Sequence, residues 1–311
     1  MDSLTQMRSS KFVLLGYIAA IGAALFSGLI PSVSKPALQG TNPIFFTAIV
    51  TLAPAIVFTP VSLRTTENKH IKKWGFVILT LTAVAGTLVA PYIYFLGLEQ
   101  TQATDAALLA NGEMVFTIVL ASLFFGERLS RKGMFAMTLI AFGIIVAITD
   151  FNFATSLLDM TAPGHLLILA ATFLWGLDNN VTSAIADRLN VAKIIQLKAM
   201  ISGAGLLIIA SLEHALNFSN LSGLLYILLL GLIVFSGSSF LSIQSLKRLG
   251  AIRTTIIFPI SSIFGLIFAV VLLHETITFY QICSVGIIVL GIDILTSKNS
   301  VIKEGMMLEQ Y

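Results

Sequence analysis

Long runs of apolar residues, broken by short polar connections, set the pattern of this chain. Ten runs can be delimited, at about 12–35, 43–62, 74–98, 105–125, 132–149, 163–187, 192–212, 222–246, 252–273 and 277–296. A helix needs about 20 mainly apolar residues to cross the hydrocarbon core of a bilayer, so each run predicts a membrane-spanning helix. The longest connection, 63–73, reads LRTTENKHIKK and is hydrophilic. Arg8 and Lys11 ahead of the first run give it the outline of a signal peptide. The run continues past residue 30, however, and is read as a first helix.

Composition then narrows the class. Hydrophobic residues make up 57% of the chain and charged residues only 11%, against about 25% charged in soluble domains. Such a chain lacks the means to cover a water-facing surface and is expected to be an integral membrane protein. The net charge of +3 does not point to nucleic acid, because the basic residues cluster between the apolar runs. With the N-terminus placed in the cytoplasm, 17 of the 18 Lys and Arg fall on that side, Arg188, Lys193 and Lys198 among them, and Lys35 alone falls outside. That one-sided distribution predicts both termini in the cytoplasm, and the short hydrophilic termini suit a cell membrane. A single cysteine, Cys283, excludes a disulfide framework, and the four histidines form no ligand pair at helical spacing. No metal or other cofactor is expected.

The runs are related to one another. At an offset of 148 residues Gly16 pairs with Gly164, Ala23 with Ala171, Gly28 with Gly176, Val33 with Val181, Phe116 with Phe264, Ala121 with Ala269, Glu127 with Glu275 and Gly143 with Gly291. One offset running from the first helix to the last reads as two copies of one unit, 12–150 and 160–297. Five helices per unit is odd, so the copies enter the membrane in opposite directions. The expected fold is an all-α membrane protein of ten transmembrane helices arranged as two inverted five-helix repeats. That plan recurs in transporters that bind solute near the midplane between the repeats.

Polar residues inside the runs mark where such a site would lie. Residues 106–129, AALLANGEMVFTIVLASLFFGERL, carry Asn111 and Glu113. A charge near the bilayer centre costs about 2.5–3.5 kcal/mol on insertion scales, so Glu113 needs a partner, a proton or a water-filled cavity. It reads either as a proton carrier or counter-charge for a cationic group, or as a protonated carboxyl bonded to a neighbouring helix. In 163–187, Trp175, Asp178, Asn179, Thr182 and Ser183 fall at i, i+3, i+4, i+7 and i+8, which builds one polar stripe. The stripe reads as pathway lining, or as interhelical hydrogen bonds worth about 0.6 kcal/mol each. Lys35 reads as an interfacial lysine or a contact for a solute carboxylate. Ser238, Ser242 and Ser245 share a helical face, which suits close packing or, as the lesser reading, the pathway; Gln244 is a weak extra candidate. Tyr92 and Tyr94 follow Pro91, and Pro31 and Pro91 are expected to free backbone carbonyls near the cavity. Glu127 and Glu275 sit at helix-end corners and are expected to pair with Arg128 or to cap the next helix.

The stretch LLANGEMVFTIVLASLFFGERLS resembles the signature that closes each repeat in the drug/metabolite transporter superfamily, EamA type. Glu113, Gly126, Glu127 and Arg128 match in the first repeat, and Pro259 and Glu275 in the second. His274 stands where glycine is usual before the second corner glutamate, and Met114 where a proline is common. The resemblance covers about 12–296, agrees with the ten-helix, two-repeat plan and implies export or import of amino acids, metabolites or drugs.

The expected function is therefore secondary active transport, as an exporter or exchanger, of small organic solutes such as amino acids or related metabolites. Alternating access between the repeats is the expected mechanism, with proton coupling through Glu113 or Asp178. The candidate substrate-binding residues are Trp175, Asp178, Asn179, Thr182, Glu113, Asn111, Lys35, Tyr94, Ser238 and Ser242. The expected partners are the solute and the bilayer. No Walker-type Gly-Lys-Ser/Thr sequence is present, so ATP is not the expected driver. Without His-Glu-x-x-His or a histidine deep in a run, an intramembrane enzyme is not expected. Two alternatives stand beside this reading. A nucleotide-sugar or sugar-phosphate carrier would want several basic groups along its path, where Lys35 alone offers one. A non-transporting membrane scaffold is the other.

Overall fold

A computed structural model describes residues 2–64, 73–124, 128–149, 163–186, 190–216, 221–296 and 301–302. Apart from a two-residue antiparallel pairing of Arg128–Leu129 with Val301–Ile302, the regular structure among these residues is helical. The first half runs through α1 (Asp2–Leu38), α2 (Pro43–Arg64) and α3 (Lys73–Thr82), then through a π-helical segment (Ala83–Val89) into α4 (Ala90–Glu99). It continues as α5 (Ala103–Leu109), α6 (Gly112–Phe124) and α7 (Arg131–Thr149). The second half has α8 (Pro163–Ile185), α9 (Val191–Leu212), α10 (Leu221–Leu229) and a second π segment (Leu230–Phe235). After it come α11 (Ser236–Ile257), α12 (Ile260–Leu273) and α13 (Phe279–Thr296).

Six helical stretches among the described residues are long and apolar enough to cross a bilayer: Lys11–Leu38, Pro43–Arg64, Gly75–Glu99, Ala103–Phe124, Val191–Leu212 and Gly223–Ile257. Their outer faces are bare hydrocarbon, with Phe124 and Leu212 each more than 70% exposed. Exposed apolar surface on this scale belongs against lipid. Inside, buried hydroxyls bond back to their own helix, as Thr47 does to the Pro43 carbonyl at 2.6 Å and Thr51 to the Thr47 carbonyl at 2.8 Å.

Two predicted runs are not single helices. The run at 105–125 breaks at Ala110–Asn111. There the Leu108 carbonyl takes both the Asn111 backbone N–H, at 3.2 Å, and the Asn111 side-chain amide, at 2.8 Å, which tightens the turn. The run at 252–273 breaks at Phe258–Pro259, where proline has no N–H to give; the chain enters it through a kink at Gly250 (φ 81), between the runs predicted at 222–246 and 252–273. His274 ends α12 in the left-handed region, φ 55, at the position where the family pattern has glycine.

The contacts exchange between the halves. α2 packs on α9, and α7 on α13; α1 packs on α11 and α12, as α8 packs on α4 and α6. The same exchange holds residue by residue at the offset read from the sequence. A Cβ placed on Gly16 would stand 2.7 Å from Leu249 Cγ, and one on Gly164 2.9 Å from Thr101 Cγ2. Gly28 meets Phe264 and Gly176 meets Phe116; Gly143 meets Ile288 and Gly291 meets Ile140. The π segments and the helix breaks at Ala110–Asn111 and Phe258–Pro259 also recur in register. Glycine serves here because a Cβ would collide with the facing helix, with its backbone at Gly28 and Gly176 and with its side chains at Gly16, Gly143 and Gly291. In lipid, where water does not drive helices together, close packing of this kind does so.

Gly176→Val follows as a test, since its Cβ would stand 2.9 Å from the Thr117 backbone nitrogen. Overpacking should cost about 1–3 kcal/mol and lower the melting temperature in detergent, as should Gly28→Val. Unchanged melting of both variants would refute the close contact.

Candidate functional site

The two halves meet around a cavity of about 170 Å3, somewhat larger than the 150 Å3 that accommodates a benzene. It is lined chiefly by α1, the π segment before α4, α6, α8, the first turns of α9, and α11. The polar stripe of α8 forms one wall. Asp178 receives Lys198 of α9, whose Nζ lies 2.6 Å from each carboxylate oxygen and 3.1 Å from Thr182 Oγ1. Thr182 in turn donates to Asp178 Oδ1 at 3.1 Å. Lys198 is 5% exposed, so this is an ion pair withdrawn from bulk solvent. Gly86 makes room for it: any side chain there would collide with Asp178.

The π segment also supplies an acceptor. Ala90 N–H bonds to the Ala85 carbonyl, the i−5 spacing of a π-helix. In that register the Gly86 carbonyl would be met by residue 91, which is Pro91 and has no N–H. Trp175 Nε1 takes the place of that donor at 3.0 Å. Its ring lies 5.2 Å from that of Tyr94, itself buried on the cavity wall. One helical turn along α8, Asn179 Nδ2 donates to Glu113 Oε1 at 2.6 Å. Asn180, on the far side of α8, bonds the Thr117 and Gly176 carbonyls at 2.9 Å and ties α8 to α6. The opposite wall carries hydroxyls, with Ser238 bonded to Ser27 at 2.8 Å and Ser239, Ser242 and Ser261 nearby on the lining.

The structure thus brings Trp175, Asp178, Asn179, Thr182, Glu113, Tyr94, Ser238 and Ser242 onto one cavity. Ser183, Ser245 and Gln244 are not on the lining; Ser245 bonds Thr254 at 2.9 Å. Asn111 is not brought there. It is buried at the helix break, with its amide on the Leu108 carbonyl and its Oδ1 without a partner among the described residues. Lys35 is not brought there either. It donates to the Thr101 carbonyl and lies 3.6 Å from Glu275 Oε1. Glu275 caps α5 of the other half, accepting from the N–H groups of Ala103 at 3.0 Å and Thr104 at 2.9 Å, rather than capping the helix that follows it. Gly126 and Glu127 lie outside the described residues, as does the side chain of Arg128.

Lys198 was missed by the sequence reading, which counted it with the cytoplasmic charges although it lies within the run at 192–212; it stands in the second turn of α9. The usable signal was Asp178 itself, since an intramembrane carboxylate calls for a cation. The cavity extends along α9 to Ile195 and along α11 to Leu246, toward the start of one helix and the charged stretch of the other. Past its other end stands the cluster of Lys35, Glu275 and the start of α5, where Gln281 also bonds Asp105 at 2.9 Å.

A multi-pass membrane protein whose apolar helices surround a cavity with a few charged and polar side chains on its wall is the class that fold and site define, and the comparisons agree that it is a transporter. The EamA-like transporter family model matches twice, over residues 14–149 and 162–297, and the chain belongs to that family. A Methanothermobacter thermautotrophicus protein described as an uncharacterized transporter is 31% identical over 297 residues, covering 91% of this chain and 86% of its own. A Bacillus subtilis protein described in the same way is 24% identical, covering 89% and 91%. A solved crystal structure shares the fold, with a TM-score of 0.67 at 18% identity over 92% of this chain and 96% of that one.

Removing one member of the ion pair leaves the other buried and alone. Lys198→Met should cost about 3–5 kcal/mol of stability, while the double variant Lys198→Met/Asp178→Asn should recover most of it. Thermal melting of the three proteins in detergent checks this. Equal loss in the single and double variants would show that the pair is not coupled.

Proposed function

We propose that this protein is a secondary active transporter of small organic solutes, such as amino acids or related metabolites. Its ten helices work as two inverted five-helix repeats, 12–150 and 160–297, that rock about a solute held between them. The observation that carries the reading is the cavity, where α8 of one half presents Trp175, Asp178 and Asn179 to Glu113 and Tyr94 of the other. The exchanged helix contacts support a two-fold relation between the halves. The one-sided reach of the cavity supports alternating access, because the Lys35–Glu275 cluster stands past its other end. The membrane is the cell membrane, with both termini in the cytoplasm, as the distribution of Lys and Arg supports.

Proton coupling runs through Glu113, which faces the cavity together with the titratable groups Tyr94, Asp178 and Lys198. A sugar-phosphate carrier is less well served: Lys198 adds a basic group to the lining, but Asp178 occupies it on both oxygens.

The test is counterflow in proteoliposomes loaded with pooled amino acids and metabolites, with and without a pH gradient. Saturable exchange is expected. Trp175→Ala should weaken it about tenfold, the equivalent of some 1.4 kcal/mol of lost contact, and Glu113→Gln should abolish its response to the gradient. Silence across the pool from well-folded protein would overturn the transport reading. A gradient response unchanged in both Glu113→Gln and Asp178→Asn would overturn the coupling.

A further inference from the structure

A second pocket lies toward the end of the bundle read above as cytoplasmic. It encloses about 240 Å3 between the start of α1, the start of α9 and the middle of α11, and is lined by Phe12, Asn190, Val191, Gln244, Lys247 and Arg248. Its two charged groups are both cations. Among the described residues no carboxylate lines the pocket or pairs with Lys247 or Arg248, so the wall carries a formal charge of +2. α9 begins at Val191, and the partial positive charge of that helix end adds to the two.

Arg248 is held in place, whereas an arginine that only anchors a helix end extends its head into water. Its Cβ packs against α1, 3.0 Å from where a Cβ on Gly16 would stand. One turn earlier on α1, the ring of Phe12 lies under the guanidinium, 5.6 Å from ring centre to Cζ. Nη1 donates to the Gln244 side chain and, at 3.3 Å, to the Gln244 carbonyl. Nε is buried and has no acceptor among the described residues. The guanidinium is thus fixed by neutral partners, with its charge unanswered and one N–H unmet.

We infer that this pocket holds the phosphate of an anionic phospholipid headgroup. Phosphate oxygens give the guanidinium charge-assisted acceptors, and Lys247 brings a second cation to the same group. One wall argues for a lipid over a soluble phosphate ester. Phe12 is 48% exposed and opens the apolar run 12–35, so hydrocarbon adjoins the charge, as a headgroup with acyl chains requires. Basic pockets between helices at the cytoplasmic face suit such headgroups. The bound lipid would tie α1 of the first half to α9 and α11 of the second. None of the six residues lines the central cavity, so the inference is independent of the transported solute.

Native mass spectrometry of the purified full chain in detergent, titrated with phosphatidylglycerol and with phosphatidylcholine of the same acyl chains, tests it. The first phosphatidylglycerol should be held about 30-fold more tightly, the ratio for two basic groups at a membrane surface. Lys247→Gln should reduce the preference about fivefold, and Lys247→Gln/Arg248→Gln should remove it. Lys247 makes no hydrogen bond or ion pair among the described residues, so the single variant carries the test if the double one does not fold. Lys132→Gln takes the same charge from an exposed site at the same end and should leave the preference intact. Millimolar glycerol 3-phosphate should not displace the lipid. Equal retention of the two lipids, a preference unchanged in Lys247→Gln, or an equal fall in Lys132→Gln would overturn the inference. Displacement by glycerol 3-phosphate would overturn the lipid as the source of the phosphate.

Discussion

The ion pair between Asp178 and Lys198 is the interaction on which the interior depends. Withdrawing a carboxylate and an ammonium from water costs several kcal/mol each, and here Lys198 Nζ reaches both oxygens and the Thr182 hydroxyl in compensation. The pair fixes α9 to α8 and requires glycine at 86 on the facing helix. That segment is π-helical, and its register against Pro91 leaves the Gly86 carbonyl for Trp175. One electrostatic need thus settles the identity of a glycine and the shape of one cavity wall, while Pro91 settles the seating of the indole.

Around this centre the packing is held by contact rather than by expulsion of water. Between helices already in hydrocarbon the hydrophobic effect offers little, so backbone approach and hydrogen bonds must supply the adhesion. Gly16, Gly28 and Gly143 provide the approach in one half, and Gly164, Gly176 and Gly291 in the other. Away from the cavity, Ser62, Thr59 and Gln196 bridge α2 to α9 with bonds of 2.6 and 3.1 Å.

Much of this was legible in the chain. Apolar runs located the helices, because a bilayer leaves few other ways to satisfy a backbone. The recurring offset is repeated by the glycine contacts. The stripe on α8 found four wall residues, since an expensive polar face has to meet protein or water. What was not legible has physical reasons too. Counting positive charges treats a lysine near a helix end as solvent-exposed, and Lys198 is instead pulled inward by a carboxylate 20 residues earlier in the chain. Asn111 and Glu113 looked like one feature, yet residues two apart point to different sides of a helix; Glu113 reaches the cavity and Asn111 serves the break. Glu275 caps a helix of the opposite half, a partnership that local sequence does not encode.

Lys35 gives the exchange of halves a direction. The residue that stands in its place in the second half, 148 positions on, is Ser183, which bears no charge. The Lys35–Glu275 contact therefore has no twin built from the same side chains, although nearly every backbone contact described above does. A single lysine thus makes the two ends of the interior chemically unlike: at one end a first-half ammonium is held by the same Glu275 that caps α5, a lock that Ser183 cannot reproduce at the other.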